Sequence, residues 1–115
     1  MSSLSTTSDD DEIVERLPPL HPGEMLREEF MVPLGLTAYA LARALEVPRT
    51  RIERLAREET LISVDTALRL GRYFGTGPEF WLHFNSLYEK DMARRADTSH
   101  LDSIKPSSHL RTAAE

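Results

Sequence analysis

Four arginines and a threonine occur within a short stretch of this chain: Arg49, Thr50, Arg51, Arg54 and Arg57. A guanidinium group donates hydrogen bonds as a planar fork, which matches a phosphate group or the O6 and N7 atoms of guanine. A threonine hydroxyl can contact a base edge or a phosphate. These residue types predict a surface for an anionic ligand, and double-stranded DNA uses both kinds of contact.

The residue types that would support catalysis or metal binding are absent or scattered. The chain has no cysteine, and His21, His83, His100 and His109 do not show the spacing of metal ligands. No glycine-rich loop follows a strand pattern, as a nucleotide-binding enzyme would require. The sequence therefore predicts no enzyme, no catalytic residue, no metal site and no cofactor.

The net charge of −5 hides two segments of opposite sign. Residues 1–17 carry five acidic residues and one arginine, whereas residues 37–73 carry seven arginines and five acidic residues. A ligand is attracted by the field of the surface that it approaches, so the local sign matters more than the sum. The positive segment includes the arginine-rich stretch.

The arginine-rich stretch lies in the second of two short predicted helices joined by a tight turn. Thr37 is a typical N-cap for the first helix. Four apolar residues recur at the spacing of one helical face and predict its buried side: Ala38, Leu41, Ala42 and Leu45. Glu46-Val47-Pro48 forms the turn, and Pro48 is expected to begin the second helix.

The second helix is predicted to have an apolar side and a charged side. At about 100° per residue, three apolar side chains face the core together: Ile52, Leu55 and Ala56. One interpretation of the charged side is an ordinary solvated face, in which Glu53 and Arg57 form an i, i+4 pair. The other is a helix-turn-helix, whose second helix enters the major groove while the first lies against the DNA backbone. The DNA-binding residues are then Thr37, Arg49, Thr50, Arg51, Arg54 and Arg57.

Three more helices are predicted around this pair. The first begins at His21-Pro22-Gly23-Glu24, a sequence interpreted as a helix start rather than as a catalytic pair. It is expected to end near Met31, because Pro33 disfavours helical geometry at Val32. The fourth helix follows an N-cap at Ser63, and its predicted buried residues are Val64, Ala67, Leu68, Gly71 and Phe74.

The fifth helix is predicted from Glu79 to about Arg95, and its first half is apolar on most sides. A chain of this length rarely leaves so much aromatic surface exposed, so part of it is expected to contact another subunit or a partner. The predicted interface residues are Trp81, Phe84 and Tyr88. The alternative is that the core absorbs all of these side chains.

These elements predict one all-α domain at residues 18–96, between a disordered acidic tail at residues 1–17 and a flexible C-terminal tail at residues 97–115. No apolar run reaches the length of a membrane span, and the acidic N-terminus does not resemble a secretory signal. The expected location is the cytoplasm.

Several motifs together resemble the HigA (VapI-like) antitoxins of the Cro/repressor-type helix-turn-helix group. They are His21-Pro-Gly-Glu-Met-Leu-Arg-Glu-Glu-Phe30, Pro33-Leu-Gly-Leu-Thr37, Leu41-Ala-Arg-Ala-Leu45, Val47-Pro48, Arg51-Ile52 and Asp65-Thr-Ala-Leu-Arg-Leu-Gly-Arg-Tyr-Phe-Gly-Thr-Gly-Pro-Glu-Phe-Trp81. The resemblance covers about residues 20–95. It implies a five-helix bundle and a homodimer that represses its own operon at a palindromic operator and neutralises a toxin that cleaves messenger RNA.

Three positions depart from the family pattern. Thr37-Ala38 stands where Ser-Gln is frequent, Glu53 where Asn is common, and Arg57-Glu58-Glu59 where an Asn-Gly-Lys-like loop is common. A glutamate at position 53 can accept a hydrogen bond from cytosine N4 or orient Arg57, but it repels phosphate. These departures concern DNA affinity and base preference rather than the fold.

Two other functions remain open on the sequence alone. The first is a protein-interaction module that inhibits a toxin and binds DNA weakly, with acidic residues 9–15 docking on a basic toxin. The second is an orphan transcriptional regulator without a toxin. The neighbouring gene would distinguish the second from an antitoxin.

Overall fold

A computed structural model of the chain describes residues 18–108. The predicted acidic tail at residues 1–17 lies outside the described residues, as do residues 109–115. All regular structure between residues 18 and 108 is helical and comprises five helices and an exposed 3-10 turn at Ser99–Ser103. The predicted all-α fold with five helices is confirmed.

Four of the helices are uninterrupted: α2 (Ala38–Leu45), α3 (Arg49–Ala56), α4 (Val64–Phe74) and α5 (Pro78–Arg95). The first, α1, has three parts, which are Pro22–Leu26, a π-helical turn at Arg27–Met31 and a final α-helical turn at Val32–Leu34. α1 packs against α3 and α5, and α4 packs against α2 and α5. No helix in the described part of the chain is long and apolar enough to cross a membrane.

The end of α1 differs from the prediction, because the helix continues past Met31 to Leu34. In an α-helix the ring of Pro33 would clash with the carbonyl group four residues earlier. Here the preceding turn is a π-helix, and the N–H of Val32 donates to the carbonyl oxygen of Arg27, five residues back. The wider turn accommodates the proline, and the helix ends at Gly35.

The start of α1 agrees with the predicted helix start at His21-Pro22-Gly23-Glu24, because the helix begins at Pro22 and His21 is its N-cap. Its Nδ1 accepts a hydrogen bond from the N–H of Gly23 at 2.9 Å. The imidazole is buried and packs edge-on against the ring of Tyr88, with 4.8 Å between the ring centroids. Burial lowers the pKa of His21, although the nearby carboxylates of Glu58 and Glu24 partly offset this effect.

The core combines side chains from all five helices and the loop after α3. Its buried apolar residues are Leu26, Met31, Leu41, Ala42, Leu45, Ile52, Leu55, Ile62, Ala67, Leu70 and Trp81. Trp81 has no exposed surface, and its ring centroid lies 4.8 Å from that of Phe30 and 5.1 Å from that of Phe80. The prediction that Trp81 contacts a partner is therefore wrong, because this tryptophan fills the interior of its own chain.

The buried side of α4 also differs from the prediction. Val64 and Leu68 are 62% and 54% exposed, whereas Thr66 and Leu70 are buried. Two sets of residues on α4 have the i, i+3, i+4, i+7 spacing of one helical face, the first beginning at Val64 and the second at Ala67. Periodicity alone therefore does not decide which set is buried. The set that begins at Ala67 faces the core.

The N-cap of α4 explains how the buried side of this helix can include a polar residue. The Oγ of Ser63 accepts a hydrogen bond from the N–H of Thr66 at 3.1 Å, and the two hydroxyl groups are 3.0 Å apart. Gly71 is buried, as predicted, and allows the turn before α5 to approach closely. A Cβ atom at this position would lie 2.4 Å from the carbonyl carbon of Gly77, just before α5.

Replacing Gly71 with alanine should lower the free energy of unfolding by about 2 kcal/mol or more, because the backbones of α4 and the α4–α5 turn would have to separate. The intrinsic helix propensity changes in the opposite direction by about 1 kcal/mol. Urea denaturation would measure the difference. The exposed neighbour offers a matched control, since Arg72→Ala should remain within about 0.5 kcal/mol of the parent chain. Equal stability of G71A and the parent would contradict this packing.

Stability should fall as the pH decreases below about 6.5, the ordinary pKa of histidine. The folded imidazole binds a proton less readily than the unfolded one, so acid favours unfolding, and protonation also removes the acceptor at Nδ1. Urea denaturation at pH 7.5, 6.5 and 5.5 would measure the slope. The slope should be shallower in His21→Asn, which keeps a capping acceptor but does not titrate. The exposed His83→Asn should retain the slope, and identical slopes in all three proteins would exclude His21 as the cause.

Candidate nucleic-acid interface

The two predicted helices of the helix-turn-helix are α2 and α3. Thr37 is the N-cap of α2, as predicted, and its Oγ1 accepts a hydrogen bond from the N–H of Ala40 at 3.0 Å. The residue is exposed. The start of α2 therefore presents a hydroxyl group and the backbone N–H groups of a helix N-terminus, which are suitable ligands for a phosphate.

The turn between α2 and α3 is compact. Glu46 adopts a left-handed conformation with a φ of 60°, and the N–H of Val47 donates to the carbonyl oxygen of Ala42 at 3.0 Å. Contrary to the prediction, Pro48 does not begin α3 but is its N-cap. The carbonyl oxygen of Pro48 accepts from the N–H of Arg51 at 3.0 Å, and the first helical residue is Arg49.

The predicted DNA-binding residues of α3 and its C-cap all lie at the surface, and we name this surface the α3 face: Arg49, Thr50, Arg51, Arg54 and the C-cap Arg57. The opposite side holds the helix to the core through the buried Ile52 and Leu55. The structure brings Thr50, Arg51 and Arg54 together at a shallow cavity of about 270 Å³. Arg49, Arg57 and the more distant Thr37 do not line this cavity.

Two arginines of the α3 face form ion pairs with glutamates. Arg49 Nε lies 3.2 Å from Glu53 Oε2, and Arg54 Nε lies 3.6 Å from Glu59 Oε1. The i, i+4 pair between Glu53 and Arg57 that the solvated-face interpretation expects is not formed. Within residues 18–108, the side chain of Arg57 has neither an ion pair nor a hydrogen bond.

Arg51 belongs to a larger network that sequence reasoning missed. Its Nη1 lies 2.5 Å from Asp65 Oδ2, which also accepts from Arg69 Nε at 3.0 Å. Arg69 donates in turn to the carbonyl oxygen of Leu45 at 2.8 Å. Hydrogen bonds from Arg51 and then Arg69 hold the pKa of the Asp65 carboxyl below its usual value. In the sequence, the i, i+4 spacing of Asp65 and Arg69 was the signal that could have indicated this part of the network.

The C-terminal end of α3 is held by α1. Arg27 donates through Nη1 to the carbonyl oxygen of Ala56 and through Nη2 to Glu58 Oε2 at 3.1 Å. A Cβ atom on Gly23 would lie 1.8 Å from the carbonyl oxygen of Leu55, so α1 reaches the backbone of α3 directly. The carboxylate of Glu58, one of the departures from the family pattern, is thus engaged by α1.

The predicted partner surface on α5 is only partly exposed. Phe84 and Tyr88 are half-buried and line an apolar groove of about 260 Å³ together with Leu20 and Leu87. Tyr88 also packs on His21.

Among residues 18–108, no three histidine, cysteine or acidic side chains converge in a way that could hold a metal ion.

Comparison with known proteins places these elements in a defined group. A family model described as helix-turn-helix matches residues 26–81. The chain is 47% identical over 92 residues to virulence-associated protein I of Dichelobacter nodosus, a match covering 80% of this chain and 84% of that protein. It is 33% identical over 88 residues to antitoxin HigA-1 of Vibrio cholerae, covering 76% of this chain and 83% of that protein.

A solved structure shares the same fold. The structure described as Pseudomonas aeruginosa antitoxin HigA with the higBA promoter superposes with a TM-score of 0.71 at 42% sequence identity. The match covers 76% of this chain and 97% of that one. The similarity therefore extends over most of this chain and nearly all of a protein whose structure was solved with promoter DNA.

Replacing Arg27 with methionine should loosen the end of α3. The change removes the hydrogen bonds to Ala56 and Glu58, and we expect a loss of about 1 kcal/mol, since the guanidinium is about one-third exposed. Urea denaturation would measure the loss, and hydrogen exchange would localise it to α3. Lys90→Met, which removes an exposed cation from α5, should stay within about 0.5 kcal/mol of the parent. The anchoring role of Arg27 would be rejected if the two variants were equally stable.

Proposed function

The chain belongs to the helix-turn-helix family that includes virulence-associated protein I and the HigA antitoxins, and from this premise we propose that it is an antitoxin that binds operator DNA and represses its own operon. The observation that carries the proposal is the exposed, arginine-rich α3 face on the second helix of the motif. The relative solved with promoter DNA supports the same assignment.

In the proposed complex α3 enters the major groove. Arg49, Thr50 and Arg54 contact base edges or phosphates, and Arg57 contacts a phosphate. Thr37 meets the DNA backbone at the start of α2. Arg51 shares Asp65 with Arg69 and contributes less to reading bases than its position in the sequence suggests.

We further propose that the functional unit is a homodimer on a palindromic operator. Two α3 helices must lie about one turn of DNA apart, roughly 34 Å, to contact both half-sites. The apolar groove that includes Phe84 and Tyr88 is a candidate for subunit or partner contact. Sedimentation at micromolar concentration would measure the oligomeric state.

The proposed protein partner is a toxin that cleaves messenger RNA, neutralised in the cytoplasm by binding rather than by catalysis. Acidic residues 9–15, which by hypothesis dock on a basic toxin, lie outside the described residues. The pairing of arginines with carboxylates favours a second candidate, a protein-interaction module with weak DNA binding. Co-purification with the product of the neighbouring gene, with and without residues 1–17, tests the toxin partnership, and an orphan regulator would capture no such product.

Arg54→Ala should weaken binding to the promoter upstream of the protein's own gene by about 1–3 kcal/mol, the contribution of one bidentate base contact. The free energy of unfolding of this variant should equal that of the parent chain, because the Arg54 side chain is exposed. Electrophoretic mobility shift at low salt would measure the affinity. Lys90→Ala removes one positive charge from α5 and should leave binding intact. Absence of any shift by the parent chain, or equal binding by R54A, would refute the proposed use of the α3 face.

A further inference from the structure

The two glutamate–arginine pairs of the α3 face share one geometric feature. In both, the glutamate approaches the Nε atom of the arginine, and the distances are 3.2 Å for Arg49 and 3.6 Å for Arg54. Within residues 18–108, the Nη1 and Nη2 atoms of these two arginines make no hydrogen bond. The end of each guanidinium that can contact guanine O6 and N7 in a bidentate manner is therefore available.

Arg51 provides the contrast on the same helix. Its carboxylate partner Asp65 is bound through Nη1, so one of the two terminal nitrogens that a bidentate contact with guanine requires is already engaged. Asp65 is also held by Arg69, which is hydrogen-bonded to the backbone of Leu45. The pair of Arg51 and Asp65 is thus part of the scaffold, whereas the Glu53 and Glu59 pairs have no second partner in the described part of the chain.

From this geometry we propose that Glu53 and Glu59 are specificity-determining residues, which position Arg49 and Arg54 for guanine and oppose binding to phosphate. This inference rests on the proposed function as a DNA-binding protein. A guanidinium whose Nε faces a carboxylate keeps its outer edge directed away from that carboxylate and can donate hydrogen bonds to a base without breaking the ion pair. The two glutamates act through their arginines, and direct contact with DNA is not required of them.

The same carboxylates reduce binding to DNA of arbitrary sequence. Non-specific affinity comes almost entirely from cations that neutralise phosphates and release counterions. Glu53 and Glu59 each offset one arginine charge of the α3 face, and Asp65 offsets part of a third because Arg51 shares it with Arg69. A phosphate that approaches Arg49 or Arg54 is therefore repelled by the neighbouring carboxylate, whereas a base edge has no net charge and is repelled much less. The ratio of operator to non-specific affinity rises as a result.

The test uses the full-length chain with Glu53→Gln, Glu59→Gln and the double replacement. Glutamine has nearly the same size as glutamate but lacks the charge. Binding is measured by fluorescence anisotropy to the promoter fragment upstream of the gene and to a scrambled fragment of equal length and composition, over a series of salt concentrations. Glu89→Gln, on the exposed surface of α5, is the control for the same change in net charge. Thermal unfolding establishes that each variant is folded.

We expect the double variant to bind the scrambled fragment about tenfold more tightly, with its affinity for the promoter unchanged or lower. The salt dependence on scrambled DNA should become steeper by about 0.9 in slope for each additional phosphate that the protein neutralises. Glu89→Gln should change neither the ratio of the two affinities nor the slope of the salt dependence. If the folded double variant keeps the parent's ratio of promoter affinity to scrambled-fragment affinity, the proposal is overturned. This includes the outcome in which both affinities rise equally, which would mean that only net charge matters. If the parent chain itself shows no preference for the promoter, the proposed function fails as well.

Discussion

The α3 helix cannot maintain its own position, and most of the surrounding structure compensates for this. It has eight residues, of which only Ile52 and Leu55 are fully buried, and an isolated helix of this length is not stable in water. Its C-terminal end is therefore fixed by Arg27 and by the close approach of α1 at Gly23. Side chains that bind DNA must project from a rigid element, since small displacements lose bidentate geometry.

The other side of α3 is fixed by charge, which links stability to recognition. Asp65, in the first turn of α4, binds Arg51 of α3 and also Arg69, which reaches the last carbonyl group of α2. One carboxylate thus joins three helices. An arginine used in this way is no longer fully available to DNA, so the α3 face divides into a structural arginine and others that can read bases. Exposed pairs of this kind are individually weak, and they fix geometry more than they add stability.

The sequence predicted the fold well because its signals were local. The N-caps Thr37 and Ser63 each depend on a few neighbouring residues, and the structure confirms both. The errors arose where the outcome depends on distant contacts. Whether α4 buries Leu68 or Leu70 is decided by packing against other helices, and the burial of Trp81 depends on rings from α1 and α5.

The candidate site was predictable as a set of residues but not as a set of interactions. Periodicity indicated that the arginines of α3 face outward, which the structure shows. It could not indicate that Arg51 pairs with Asp65, because these residues lie 14 positions apart and on different helices. The choice between Arg49 and Arg57 as the partner of Glu53 was also open, since each is four residues away.

The partial neutralisation of the α3 face has a consequence for the proposed dimer. A single α3 helix with most of its charge offset is only weakly attracted to DNA at long range, so one half-site alone supports only weak binding. Joining two such helices makes the second contact intramolecular, and the effective concentration of the second helix then multiplies the affinity. Non-specific DNA benefits less from this arrangement, because neither helix finds its preferred bases. In the proposed dimer, this effect would add to the discrimination that we assign by proposal to the paired glutamates of each subunit.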